Sequence, residues 1–479
     1  VLSRRWAKYV TALLLFAMVV PGALLVINTL DRDQDERARS EDARRSTCRS
    51  LVVRLVTALD AFTQQFDGLT ATSDATIPPM PSMPQLRTEA AGFDQQLARS
   101  DCREAAARTA IDEWRQAKGA TGPLADAVRA ALAANVLDVV TGPDAGARYE
   151  LTPDEDLATV LSRMPTGSTV VLPEGRFALD GTVALVQDIT IQGAGRGRTL
   201  VTSRAQGAGL VLASQVTLRM SGVRVEHRGG GSASVLLLRA GTATLRDVQV
   251  AGATRDDRAE PGAEAVLSGG SGIVLAGGER LSMRGSSATR NAVGGLLVAS
   301  GRPEVRGSSF RGNDVCGVCY VGKSSGRLRD SVLVGNGAGV TVGDRGAPVV
   351  DDNRIEANKQ AGLVVQGASR PRLARNTVRG NGGIGVAVYG AASPQVTANT
   401  VTGHEQAGIL VDVAARATPD LRGNDLRGNG SAGVVFTGRS GGTASGNTCS
   451  GARFGLVLDG SAAPVLGRND CALQDQRSR

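Results

Sequence analysis

Aromatic side chains are scarce in this chain, at 3% of 479 residues. Both tryptophans, Trp6 and Trp114, precede the repeats described below, so the repeats offer no indole on which a neutral sugar ring would stack. Histidine is rarer still, with His227 and His404 alone. Two histidines and six cysteines supply no ligand set at metal-binding spacing, and neither a metal nor another cofactor is expected. Only four of the 54 cationic residues are lysine, so the basic surface is an arginine surface. The stretch from Pro348 to Ala463 also lacks any apolar run long enough for a helix.

That stretch repeats itself five times, with lines such as PVVDDNRIEANKQAGLVVQGASR and PRLARNTVRGNGGIGVAVYGAAS. The period is 22 or 23 residues, with one line of 25. Each line holds three short apolar pieces separated by Asn/Gly corners. So small a unit cannot bury its own apolar face, whereas stacked units can. Asparagines recur in register. One ladder is Asn353, Asn376, Asn399, Asn424, Asn447 and Asn469. A second is Asn291, Asn313, Asn336, Asn358, Asn381, His404 and Asn429. Asparagine tolerates left-handed corners, and its amide can bond the copies above and below. Two apolar columns, one through Val340 and Leu363 and one through Val342 and Val365, face inward. The expected fold is an all-β parallel solenoid with three strands per coil and about twelve coils.

The motif N-x-V-x-x-N-x-x-x-G-I-x-V resembles the right-handed parallel β-helix, or pectin-lyase-like, superfamily. Residues 157–199, LATVLSRMPTGSTVVLPEGRFALDGTVALVQDITIQGAGRGRT, resemble its start, where an amphipathic helix plugs the first coil. The resemblance covers about 150–475 and implies a fold that hosts lyases, hydrolases, epimerases, adhesins and inert scaffolds. Copper-handling β-helix proteins also share such coils, but two histidines and six methionines are too few for that role. The Gly193–Gly197 run GAGRG follows no βαβ pattern and reads as a solenoid turn; no nucleic-acid partner is expected.

Three regions follow: 1–30, 31–148 and 149–479. Residues 9–30 carry no charge over 22 positions, enough to span a bilayer. Arg4, Arg5 and Lys8 precede them and Asp31, Asp33, Asp35 and Glu36 follow. This reads as an uncleaved, single-pass anchor in the cell membrane, with the N-terminus cytoplasmic and the remainder extracytoplasmic. Residues 34–118 read as a helical hairpin. Cys48 and Cys102 are each 27 residues from position 75 in its proline-rich turn, so they should meet as a disulfide. Cys449 and Cys471, 22 residues apart, fall on adjacent coils within disulfide reach. Cys316 and Cys319 read as a local disulfide or plain packing. Thr152-Pro153-Asp154-Glu155 has the form of a capping box that starts the plug helix.

Residues 150–479 hold 36 basic and 28 acidic residues, a net +8 that favours anionic partners. Two clusters can carry chemistry. Glu226, His227 and Arg228 lie beside the root of the insertion 251–271, with Asp256 and Asp257 in it; they can supply a base, a cation site or an anion clamp, or form a solvated loop. Tyr389, Asp412 and Asp459 share an outward position, and the two carboxylates can approach an inverting-hydrolase separation. A third feature is an apolar outward stripe from Val274 to Val457, including Val364, Leu410 and Val435. It is expected to dock the helical hairpin or a second copy. The leading functional reading is a non-catalytic, membrane-anchored module that binds an acidic polysaccharide or an envelope protein. The alternative is a polysaccharide lyase, epimerase or hydrolase acting on a polyuronate-like substrate.

Overall fold

The computed structural model describes residues 146–477 except 153, 213–215, 256–268 and 278–279, together with helical Arg54, Val56 and Thr57. Segment 9–30, the hairpin 34–118 and its Cys48–Cys102 pair lie outside the described residues, as do Asp256 and Asp257. Among the described residues no helix is long and apolar enough to cross a membrane.

Short strands stack into three parallel sheets of 14, 12 and 13 strands, here the first, second and third in the order each coil visits them. One coil, for example, runs Val349–Asp351, Arg354–Glu356, Ala361–Val365. The result is a right-handed parallel β-helix of about thirteen turns, one more than the repeat count implies. The additional turn arises because Arg148–Glu150, ahead of the plug helix, already pairs with Ser168–Leu172. At ~4.8 Å per coil the stack is about 60 Å long.

The plug helix α1 spans Leu157–Arg163 and seats Leu157 and Leu161 in the first coil, with Val160 and Met164 packed beside them. Its N-cap is Asp156, whose carboxylate accepts from the Ala158 and Thr159 amides, rather than Thr152. The Thr152–Glu155 contacts expected of a capping box do form: the Thr152 amide donates to Glu155 Oε2 at 2.7 Å. They close a turn ahead of the helix, because Asp156 offers a better-placed acceptor for the first helical amides. Buried Gln187 then ties the helix end to the coil by donating to the Leu161 carbonyl at 2.6 Å.

Both asparagine ladders are present and buried. Asn376 Nδ2 donates to Asn399 Oδ1 at 3.0 Å and to the Val350 carbonyl at 2.9 Å, while its amide donates to the same Asn399 oxygen at 2.9 Å. Asn313, Asn336 and Asn358 repeat this pattern in the second ladder. The left-handed geometry, however, belongs to the residue before each ladder position, such as Asp352, Arg375 and Ala398, with φ of 56°, 53° and 53°. Turning that residue outward points the asparagine inward, where its side chain bonds backbone groups of the preceding coil and the next asparagine of the ladder. Ser286, Ser308 and Ser331 extend the first ladder towards the N-terminus through their hydroxyls.

Cys449 and Cys471 form the expected disulfide, with a Cα–Cα distance of 4.8 Å, and Cys316 pairs with Cys319. Phe310, Tyr320 and Phe436 are fully buried in the core. The apolar outward stripe holds its register and begins earlier than Val274, at Ala184 and Val211. Val274, Ala276, Leu297, Cys316 and Cys319 form an apolar cluster separate from the core, whereas Val364, Leu410 and Val435 are half-buried.

Asn376→Ala leaves the buried Asn353 backbone amide without its acceptor, at a cost of about 1–3 kcal/mol, and takes one bond each from Asn353 Nδ2, which keeps the Leu328 and Asp351 carbonyls, and from the Val350 carbonyl. Thermal unfolding of Asn376→Ala should therefore shift well below that of Asn469→Ala, at the half-exposed end of the same ladder. Equal shifts would show that the ladder does not hold the coils.

Candidate functional site

Around His227 the register sets Val225 opposite Val250 and Glu226 opposite Ala251, so the insertion does leave from the coil next to this corner. Its ends are pinned together. Thr254 and Ala233 exchange backbone bonds of 3.0 and 2.7 Å, and the Gly270 amide also donates to Ala233 at 3.0 Å. Strand alternation separates Glu226 from its neighbour. His227 faces inward with Val225 and is 3% exposed, whereas Glu226 lies on the outer side. There Arg224 holds Glu226 Oε2 at 2.5 Å and Arg228 holds Oε1 at 3.3 Å. The carboxylate is thus clamped between two guanidinium groups, and Arg255 stands at the insertion root.

Neither ring nitrogen of His227 makes a well-formed hydrogen bond. Burial pushes its pKa down, with the Gly229 backbone acting weakly the other way. Gly229 fits closely, since a Cβ there would lie 2.8 Å from His227 Cε1. The corner therefore divides into a core histidine and an outer Arg–Glu–Arg cluster that keeps a net charge of +1. Among the described residues of this corner, no base and carboxylate converge on one outer point.

His404 replaces an asparagine inside the second ladder. Asn381 Nδ2 donates to its Nε2 at 3.2 Å, and its Nδ1 donates to Asn429 Oδ1 at 2.9 Å. That pattern assigns the neutral tautomer with the proton on Nδ1. Protonating Nε2 would set two donors against each other. Burial lowers the pKa of His404, although its bond to Asn429 opposes this.

Tyr389 and Asp412 are register partners in the third sheet, and Thr437, just past the strand Ala432–Phe436, continues the row to Asp459. Asp412 and Asp459 are exposed, and Thr437 Oγ1 donates to Asp459 Oδ2 at 3.3 Å. Burial and the neighbouring Asp412 raise the pKa of half-buried Tyr389. The row lies flush with the sheet, and the loops after it are short and uniform at 391–394, 414–419 and 437–442. The carboxylates are two coils apart, about 10 Å between backbones.

One alignment escaped the sequence reading. Arg246, Arg284, Arg306 and Arg329 are direct register partners on four consecutive strands of the first sheet. The segments LRDV, MRGS, VRGS and LRDS carry the signal, but the first asparagine ladder begins only at Asn353, one coil beyond the last of them. Among the described residues no group of three or more His, Cys, Asp or Glu side chains is placed to hold a metal ion.

A family model described as "Right handed beta helix region" matches residues 180–418 and 385–476. No curated protein matches the chain. Among solved structures, the chain is similar to the periplasmic alginate epimerase AlgG at 14% identity and a TM-score of 0.49, over 69% of this chain and 84% of that one. It is also similar to the catalytic unit of a GH87 α-1,3-glucanase from Streptomyces thermodiastaticus, at 15% identity and a TM-score of 0.48, over 70% and 69%. The Dettilon tailspike protein is similar at 14% identity and a TM-score of 0.43, over 63% of each chain.

A buried histidine with a lowered pKa makes stability depend on pH. The unfolded side chain takes up its proton near pH 6.5 and the folded one only below that. Stability is therefore complete above about pH 6.5 and falls as the pH drops towards the folded value. His404→Asn restores the ladder and should flatten this fall. In melting curves between pH 7.5 and 5, the variant should lose less than the parent; parallel losses would contradict the ladder role of His404.

Proposed function

We propose, for a chain that belongs to the right-handed β-helix family, that it is a membrane-anchored, extracytoplasmic module that binds an acidic polysaccharide lengthwise without cleaving it. The observation that carries this reading is the form of the surface. The three sheets offer side chains at a constant ~4.8 Å repeat, and the loops flanking the third sheet raise no wall around the Tyr389 row. A flush, repetitive face suits many weak contacts along a polymer better than the enclosure of one bond. The net charge of +8 on residues 150–479 supports an anionic ligand. Membrane attachment through residues 9–30 belongs to the same proposal and rests on their uncharged length and the flanking charges.

A specific observation favours a second reading. Asp412 and Asp459, aligned with Tyr389 and Thr437, form an outer row with two exposed carboxylates and a phenol within three coils of each other. On that reading the protein is a lyase, epimerase or hydrolase acting on a polyuronate-like chain.

Incubating the full chain with polygalacturonate, alginate and neutral dextran separates the two. Binding predicts retention of the two acidic polymers, little retention of dextran, and neither unsaturated nor new reducing ends. Product that disappears in Asp412→Asn or Asp459→Asn would overturn the non-catalytic reading.

A further inference from the structure

Four arginines in direct register are costly unless something balances them. Like charges on neighbouring strands destabilise a sheet, and these follow one another at ~4.8 Å. Arg306 has a partner in Asp330 at 3.0 Å; among the described residues Arg246, Arg284 and Arg329 form no ion pair, although Asp351 is the register partner of Arg329 on the next strand. Arg246, Arg284 and Arg306 are exposed and Arg329 half-buried, so their guanidinium groups reach solvent along one line. Beside Arg246 and Arg284, on the same strands, stand the hydroxyls of Thr244 and Ser282.

We infer that this ladder is a binding site for a linear polyuronate lying parallel to the solenoid axis. The inference rests on the polysaccharide reading above and assigns it a face. A pyranose unit is about as long as the ~4.8 Å strand spacing, so one carboxylate per sugar can meet one guanidinium per coil. Guanidinium binds carboxylate through paired donors, and Thr244 and Ser282 can serve the ring hydroxyls.

The surroundings of the ladder favour a single chain over other polyanions. Asp247 and Asp330 border it at the corner, and Glu304 borders it on the other side. An anionic membrane would press these carboxylates against its phosphates, whereas a narrow polymer passes between them. Single-stranded nucleic acid prefers aromatic platforms, and the columns at 244–304 and 246–329 carry none.

The test compares the full chain with Arg246→Gln/Arg284→Gln/Arg329→Gln. A charge-matched control, Arg345→Gln/Arg379→Gln/Arg416→Gln, removes three exposed arginines that share no row. Binding to polygalacturonate is measured alongside binding to oligo(dT) and to phosphatidylglycerol vesicles, after melting curves show that each variant folds. The ladder variant should lose about tenfold or more in polygalacturonate affinity, and the control less than about threefold. Equal losses in the two variants would overturn the ladder and leave the polysaccharide reading intact. A parent chain that binds no acidic polysaccharide would overturn that reading itself. Stronger binding of oligo(dT) or vesicles, lost in the ladder variant, would keep the site and overturn its assignment to a polyuronate.

Discussion

Within the two ladders, each buried asparagine flanked by ladder neighbours on both sides bonds the coil above it and the coil below it. Asn376, Asn399, Asn424 and Asn447 each present one oxygen that accepts from the backbone and side chain of the asparagine in the preceding coil. A slip of one residue would break every one of these bonds at once and turn the inner columns outward. The register of the whole solenoid depends on this constraint. The apolar columns supply the bulk of the burial, but columns of interchangeable valines and leucines would tolerate a slip more readily than a chain of directed amide bonds.

Once the register is fixed, every outward position becomes a column. That is how Arg246, Arg284, Arg306 and Arg329 come to stand in line although 38 residues separate the first two. The same rule builds the Tyr389–Asp412–Thr437–Asp459 row and the apolar stripe on the third sheet. The solenoid thus carries distinct one-dimensional patterns, a cationic one on the first sheet and an acidic and an apolar one side by side on the third. A polymer with its own repeat is the partner such patterns fit by simple geometry.

Much of this was legible because a repeat of 22 or 23 residues reports registration directly. The Asn ladders, both inner columns and the Cys449–Cys471 pair follow from counting. What escaped depended on local directions that counting does not give. Corner asparagines suggested left-handed backbone, yet the strained residue is the one before, because an inward amide can satisfy three groups. Ser286, Ser308 and Ser331 were not read as ladder members, since a hydroxyl can do there what an amide does later. His227 stands between Glu226 and Arg228 in sequence but on the other side of the strand, so a run that reads as a catalytic cluster is divided between core and surface. The arginine ladder lies on the coils before the first asparagine ladder begins at Asn353, where that frame is not marked.

The central claim is that coil spacing turns single arginines into a ruler for an anionic chain. Affinity measured against oligogalacturonates of increasing length tests it most directly. It should rise steeply with each added sugar up to about four units, the length of the ladder at ~4.8 Å per coil, and more slowly beyond. A monomer that binds as tightly as a decamer would contradict the account.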